Sequence, residues 1–150
     1  MRIEKTKFVN KPWGNELWIA DGIRTPYALK RILFKKGFRS SLQVHEYKFE
    51  TNYVLSGIGI LQIREELFNC KEYLASSQQS RLVEVATKTL RDIEIQAGDV
   101  IDVKPGQIHR VIAITDLVFI EASTHELEDV IRLLDDTARG HGKIDSEHGN

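Results

Sequence analysis

Four donor side chains stand at spacings that could hold a metal ion. Gln43, His45 and Glu50 fall within one short run, GFRSSLQVHEYKFETNYVLSG, and His109 follows a Pro105-Gly106 turn in GDVIDVKPGQIHRV. Two imidazoles, a carboxylate and an amide oxygen suit zinc, manganese, iron, cobalt or nickel and leave coordination positions open for water or substrate. Singly, each residue has an ordinary explanation, because a lone strand histidine is more often hydrogen-bonded or at the surface than a ligand. It is the set that points to a metal; His125, His141 and His148 lack comparable partners and keep the ordinary reading.

The elements that would gather this set are strands. On a strand, alternate side chains share a face, which puts Arg39, Ser41, Gln43 and His45 on one polar stripe and Ser40, Leu42 and Val44 opposite. A hairpin at EYKF would bring Glu50 beside Gln43 and His45 on the neighbouring strand, and a residue just after a Pro-Gly turn, as His109 is, projects into a barrel mouth. A polar stripe in a small barrel either faces solvent or lines a pocket, and alternation by itself leaves both open.

Through residues 16–111 short apolar runs alternate with turn residues, ELWIA, YALKRILF, SLQVH, TNYVL, GILQI, VIDV and HRVIAI among them, with LVFIEAS following a Thr115-Asp116 turn. This is the pattern of a small antiparallel barrel or sandwich. Residues 63–92 break it with a polar SSQQS and read as an excursion holding a strand pair or a short helix. In THELEDVIRLLDD, Leu127, Val130, Ile131 and Leu134 fall at helical spacing, and Ser123 and Glu126 are spaced as in a capping box, so a short helix packed on the barrel is expected there. Residues 140–150, GHGKIDSEHGN, carry glycine and charge without apolar periodicity and read as a frayed, flexible tail after a single domain of residues 1–139.

The chain has 150 residues, enough for one ordinary domain, with 41% hydrophobic and 29% charged residues and a formal net charge of -1. Such a balance gives no global attraction to nucleic acid or anionic membrane. No apolar run approaches the ~20 residues needed to span a bilayer, and MRIEKTKFVNKPWG has no apolar signal core. The single cysteine, Cys70, reads as an ordinary loop thiol in a reducing compartment, which makes a soluble cytoplasmic protein the expectation.

The run from Gly37 through His45 and Glu50 to Gly57 resembles the first motif of the cupins, with Gln43 at the position of the first histidine. GDVIDVKPGQIH resembles the second motif through Gly98, Gly106 and His109, with Pro105 one place late and Lys104 at the usual proline position. SLQVH is similar to the SLQ-x-H of type II mannose-6-phosphate isomerases, a cupin domain often fused to a mannose-1-phosphate guanylyltransferase. KPWGNE, LKRILFKKGFRSSLQ and EDVIRLLDDTAR resemble further signatures of that family, so the likeness extends over residues 10–139. Here Lys48 stands where the family often has arginine, Ala138 replaces a glycine before Arg139, and the excursion is longer. The chain begins almost at KPWG, which reads as a stand-alone barrel.

The resemblance implies an all-β fold, a single jelly-roll barrel with a short C-terminal helix that pairs into a homodimer. It also implies a metal held by Gln43, His45, Glu50 and His109, zinc first, with manganese, cobalt, iron or nickel as alternatives. The implied reaction is the interconversion of mannose 6-phosphate and fructose 6-phosphate, with a small sugar phosphate as partner and no nucleic acid or membrane. Moving a proton between adjacent carbons needs a base; the candidates are Lys30 and Arg31, of which one faces inward, and a metal-bound hydroxide. Arg39, on the stripe of Gln43 and His45, is placed to meet a phosphate, and the resemblance adds Lys11 and Arg139. Trp13 either walls the pocket or caps the core. Two other readings share the residues: His45, Glu50 and His109 also satisfy the pattern of non-haem Fe(II) dioxygenases, and a cupin that only binds or senses sugar would need no base.

Overall fold

The computed structural model describes Met1 and residues 3–148. In chain order it contains β1 (Lys7–Lys11), β2 (Gly14–Asp21), β3 (Ala28–Phe34), β4 (Leu42–Val44), β5 (Glu50–Ser56) and β6 (Ile58–Ile63). Helices α1 (Cys70–Ala75) and α2 (Gln79–Thr87) follow. Then come β7 (Arg91–Gln96), β8 (Val100–Val103), β9 (His109–Ala113), β10 (Leu117–Ser123), β11 (Ile131–Leu134) and α3 (Asp145–His148). A six-stranded sheet in the order β1-β2-β3-β10-β5-β8 faces a five-stranded sheet in the order β11-β4-β9-β6-β7, and every pairing is antiparallel.

Register decides what each strand offers the interior. Across the larger sheet, Trp18, Lys30, Glu121, Asn52 and Ile101 are successive Cα partners, and all line the space between the sheets. The neighbouring row of partners, Leu17, Arg31, Ile120, Tyr53 and Val100, points the other way. The sheets close at their far end over a core that includes Trp13, Phe34, Val54, Leu61, Val111 and Phe119. Trp13 stacks on Phe34 with ring centroids 4.3 Å apart, so it caps this core and also forms part of the cavity wall. At the sharp corner where the chain leaves β5 of one sheet for β6 of the other, Gly57 has φ +94° and a Cβ there would lie 2.1 Å from the Asp116 carbonyl oxygen. Only glycine fits that corner.

The excursion resolves into helix. Asn69 caps α1 by accepting from the Glu72 N–H, and α1 and α2 cover the outer face of the smaller sheet, where Cys70, Tyr73, Val83 and Ala86 pack with Leu42, Val44, Ile108, Ile131 and Leu133. Cys70 thus opens a helix and is buried, in place of the expected loop thiol. Burial pushes its thiol up to about 11.

The helix expected over residues 124–136 is a strand in its second half. β11 pairs with the short β4, Ile131 opposite Val44 and Arg132 opposite Gln43. Alternation then buries Ile131 and Leu133 against the helical layer and turns Arg132 to the interior. Helical spacing lost because β4 has an edge to be paired and an apolar surface waiting beside it. The short C-terminal helix lies farther on, as α3, within the segment expected to fray. There Gly142 N–H donates to the Val130 carbonyl, the Arg132 N–H donates to His141 Nδ1, and Glu147 meets Lys11 and Arg139. The last two residues of that segment lie outside the described residues.

Candidate active site

β4, β5 and β9 converge at one end of a cavity of about 640 Å³ between the two sheets. His45 follows β4, Glu50 opens β5 and His109 opens β9, so each stands where a strand begins or ends, free of the packing demands of a strand centre. One donor atom from each lies within 4.8 Å of the others. His45 Nε2 is 3.7 Å from Glu50 Oε2, and His109 Nε2 is 3.4 Å from Glu50 Oε1.

Both imidazoles are oriented from behind. His45 Nδ1 lies 2.6 Å from the Asp129 carbonyl oxygen and His109 Nδ1 lies 3.0 Å from that of Gln107. A carbonyl accepts only, so each Nδ1 carries the proton and each Nε2 turns a lone pair to the centre. Asp129 also accepts, through its carboxylate, from the N–H groups of Glu46, Tyr47 and Lys48 at 3.0, 2.7 and 2.9 Å, which fixes the loop between His45 and Glu50. Burial holds the His45 imidazole down to about 3, the pull of Glu50 notwithstanding, and so keeps it neutral. Its Nε2 is buried without a hydrogen-bond partner among the described residues. An orphaned acceptor facing a carboxylate and a second imidazole fits a bound cation, which is the partner this donor set lacks.

Gln43 sits beside His109 in register, its Nε2 3.5 Å from His109 Nε2, while Ser41 Oγ donates to its Oε1 at 2.8 Å. Turning the amide over presents Oε1 to the centre, and the Ser41 hydroxyl then accepts from Nε2.

Behind the ligands, the Lys48 ammonium lies 3.1 Å from both Glu50 Oε2 and Glu121 Oε1. Despite burial, which favours the neutral amine, the two carboxylates hold Lys48 charged. Burial would raise Glu50, but the Lys48 ammonium beside it outweighs burial and holds the carboxyl well below the usual carboxylate range. Glu121 moves the opposite way: burial raises it, Glu50 raises it further, and Lys48 only partly compensates.

Residues 2–112 match the family described as mannose-6-phosphate isomerase C-terminal. The chain belongs to that family. It is 33% identical over 94 residues to a mannose-1-phosphate guanylyltransferase of Salmonella muenchen, a match covering 60% of the chain and 20% of that protein, so the chain spans about a fifth of the curated relative's length. Solved cupin structures share the fold. The capsular polysaccharide assembling protein CapF of Staphylococcus aureus superposes with a TM-score of 0.62 at 17% identity over 89% of this chain and 33% of its own. The Bacillus subtilis oxalate decarboxylase, a protein with Mn(II) centres, gives 0.60 at 20% identity over 85% and 30%. KdgF from Halomonas sp. gives 0.57 at 15% identity over 81% and 88%. The fold is therefore a single cupin barrel, as the two motifs imply.

Within this family member, the other candidate residues divide. Lys30 faces the cavity, its Nζ 3.5 Å from Glu16 Oε1 and 4.4 Å from the Trp18 ring centroid, whereas Arg31 is exposed on the outer face. Arg39 is away from the cavity. The chain enters a strand only at Leu42, so alternation does not carry back to Arg39, whose half-exposed guanidinium binds Asp136 at 2.6 and 3.0 Å. Lys11, Trp13 and Arg139 all line the cavity. Three residues here were not singled out as site candidates from the sequence: Glu121, Asp129 and Arg132. The signal for Glu121 was available, as a lone charge within LVFIEAS; those for Asp129 and Arg132 were hidden inside a presumed helix.

No described helix is long and apolar enough to cross a membrane.

Proposed function

We propose that the protein is a metal-dependent sugar-phosphate isomerase interconverting mannose 6-phosphate and fructose 6-phosphate. The observation that carries this reading is the pair of inward Nε2 atoms, each with its Nδ1 on a backbone carbonyl, facing Glu50 at the edge of a cavity of hexose-phosphate size that also holds lysine and arginine side chains. Gln43, His45, Glu50 and His109 would hold the divalent ion, zinc first, with manganese, cobalt, iron or nickel also suited to these donors. When bound, it supplies electrophilic stabilisation for the negative charge that builds on the sugar oxygens.

The proton belongs to this chain's own groups. Glu121 stands opposite Lys30 on the floor of the cavity, and its raised affinity for a proton brings it nearer the range where a carboxylate can both take and return one. With Oε1 held by Lys48, Glu121 would take the proton from one carbon on its other oxygen and deliver it to the neighbouring carbon. Lys30, inward in the same row, would donate to a sugar hydroxyl, and Arg31 has no part. Lys11 and Arg139 would meet the phosphate, with Trp13 walling the apolar end. Arg39 is left to its pair with Asp136.

Metal analysis of the purified protein, followed by a coupled assay of mannose 6-phosphate isomerisation, tests the proposal. Expected are a stoichiometric divalent ion and turnover, with His45→Ala losing both, the rate by at least about 10³-fold, since the electrophile is worth several kcal/mol. Bound Fe(II) with oxygen uptake and no isomerisation would instead mark a dioxygenase. Saturable binding of sugar phosphate without turnover would mark a sugar-binding cupin.

A further inference from the structure

We infer that Lys11, Arg132 and Arg139 form an anion subsite for a phosphomonoester, and that Glu147 of the chain's own C-terminal helix fills it until the phosphate displaces it. Arg132 is the starting point. It is 9% exposed, lines the cavity and donates through Nη1 to the carbonyls of Gly140 and Gly142 at 2.5 and 2.8 Å. Its Nε is buried with no hydrogen-bond partner, and no carboxylate forms an ion pair with it among the described residues. A guanidinium withdrawn from water without an anion is costly, and its planar fork matches the oxygens of a phosphate.

Beside it, Glu147 does what a phosphate would do. Its Oε1 accepts from Arg139 Nη1 at 2.7 Å and its Oε2 accepts from Lys11 Nζ at 3.2 Å, so one carboxylate bridges two cavity cations. Arg139 is already paired with Asp135 through Nε and Nη2, at 3.0 and 3.1 Å. Lys11, Arg132 and Arg139 share Asp135 and Glu147, while Glu16, which also draws Lys11 and Arg132, is paired with Lys30, so this group keeps one positive charge in excess. A phosphate dianion in place of Glu147 balances that charge, and its additional oxygen can reach the Arg132 fork as well.

The carboxylate is on a segment suited to leaving. α3 is a single turn of four residues. Apart from the two bonds of Glu147, its side-chain anchors among the described residues are His148, 3.5 Å from Lys7 Nζ, and the edge contact of the same ring with Trp18 at 5.0 Å. Neither buried apolar cluster includes a described residue of α3. The choice of a phosphomonoester rests on the isomerase reading; the exchange of one anion for another does not.

The test uses the full-length, metal-free protein and inorganic phosphate, with binding measured by calorimetry and the 141–148 segment followed by hydrogen exchange. Phosphate is expected to bind, to speed exchange across 141–148, and to change Trp18 fluorescence as His148 leaves. Glu147→Gln should bind phosphate about tenfold more tightly, because a competitor that occupies the site reduces apparent affinity by the fraction of time it is absent. Lys11→Met should bind it more weakly. Equal affinity in wild type and Glu147→Gln, or unchanged exchange in the wild-type chain at saturating phosphate, overturns the inference. The second readout needs no variant. Phosphate-driven release of the segment without isomerisation of any sugar phosphate would keep the subsite and sink the isomerase reading; isomerisation with a segment that never moves would do the reverse.

Discussion

Two groups of charged residues form the poles of the cavity, and they are built on different principles. Around His45, Glu50 and His109 both imidazoles are aimed by backbone: Nδ1 of each rests on a carbonyl, three consecutive N–H groups of residues 46–48 converge on the Asp129 carboxylate, and Glu50 is held by the buried Lys48 ammonium. Lys11 and Arg139 are held mainly through ion pairs with Asp135 and Glu147 that other anions could replace, and Arg132 beside them rests on the Gly140 and Gly142 carbonyls. The first pole is preorganised, as a site must be whose ligands have to converge within a few tenths of an ångström. The second is stabilised by exchangeable charge. Under the proposed function, the fixed pole would carry the chemistry and the adaptable pole would hold the substrate.

The largest expected effect at the fixed pole that spares the metal is that of Glu121→Gln. It keeps shape and burial while removing the proton acceptor, so kcat should fall about 10²–10³-fold with metal content unchanged, and the same metal assay checks the second half. The pH profile sharpens this. Glu121 must be ionised to act as base, so the rate of the wild type should rise with pH through a value above the ordinary carboxylate 4.5, in keeping with the upward push from burial and Glu50. The limb should be missing from any residual activity of the variant. A variant with full turnover would remove Glu121 from the chemistry and return the role of base to Lys30.

Asp129→Ala addresses the claim that backbone orientation makes the pole. The variant leaves the carbonyl that His45 uses and deletes only the carboxylate that gathers the 46–48 loop. Groups behind metal ligands are commonly worth 10–100-fold in affinity, and a loss of about that size is expected in a metal competition titration. Unchanged affinity would mean that the strands alone suffice to aim the ligands.

The contrast also explains what could be read from the sequence. The convergence of these side chains was legible because strand period and two turns fix it: Gln43 and His45 two apart, Glu50 at the next strand start, His109 just past Pro105-Gly106. The same logic overreached at Arg39, since alternation has meaning only inside a strand and the strand begins at Leu42. Alternation leaves only one of Lys30 and Arg31 facing inward, and the register with Glu121 shows that it is Lys30. The adaptable pole was hardly legible. Its residues come from a segment whose apolar spacing is helical, and only the unpaired edge of β4 makes a strand of it, a fact about the rest of the molecule that no local pattern contains. Glu147 lies in a stretch with no apolar periodicity, held by charge alone.

At the adaptable pole, strong acid should act through Asp135. Burial would raise its carboxyl, but the side-chain and backbone N–H groups of Arg139 outweigh this and hold it at about 2. A folded-state value below the unfolded one stabilises the fold above the unfolded value of 3.8 and loses that contribution as pH falls through about 2. Asp135→Asn should therefore flatten the stability curve between pH 4 and pH 2, read by urea unfolding at each pH, and should leave the metal pole unaffected. Two curves falling in parallel over that window would show that the Asp135–Arg139 pair is not what ties this pole together.

The smallest effect tests a single torsion. Ala138, directly before Arg139, has φ +53°, in the left-handed region where a Cβ crowds the backbone at a cost of about 1–2 kcal/mol. Its N–H donates to the Asp135 carbonyl at 3.0 Å, so the turn that brings Arg139 back onto Asp135 is made at this residue. Glycine adopts the same torsion without that penalty but gives the unfolded chain more freedom, which offsets part of the gain. Ala138→Gly should thus raise stability by no more than about 1 kcal/mol, measured by denaturant unfolding, while leaving the Asp135–Arg139 pair in place. A loss of stability instead would mean that the turn is imposed cheaply by its surroundings, and that the adaptable pole is held more rigidly by its backbone than its ion pairs suggest.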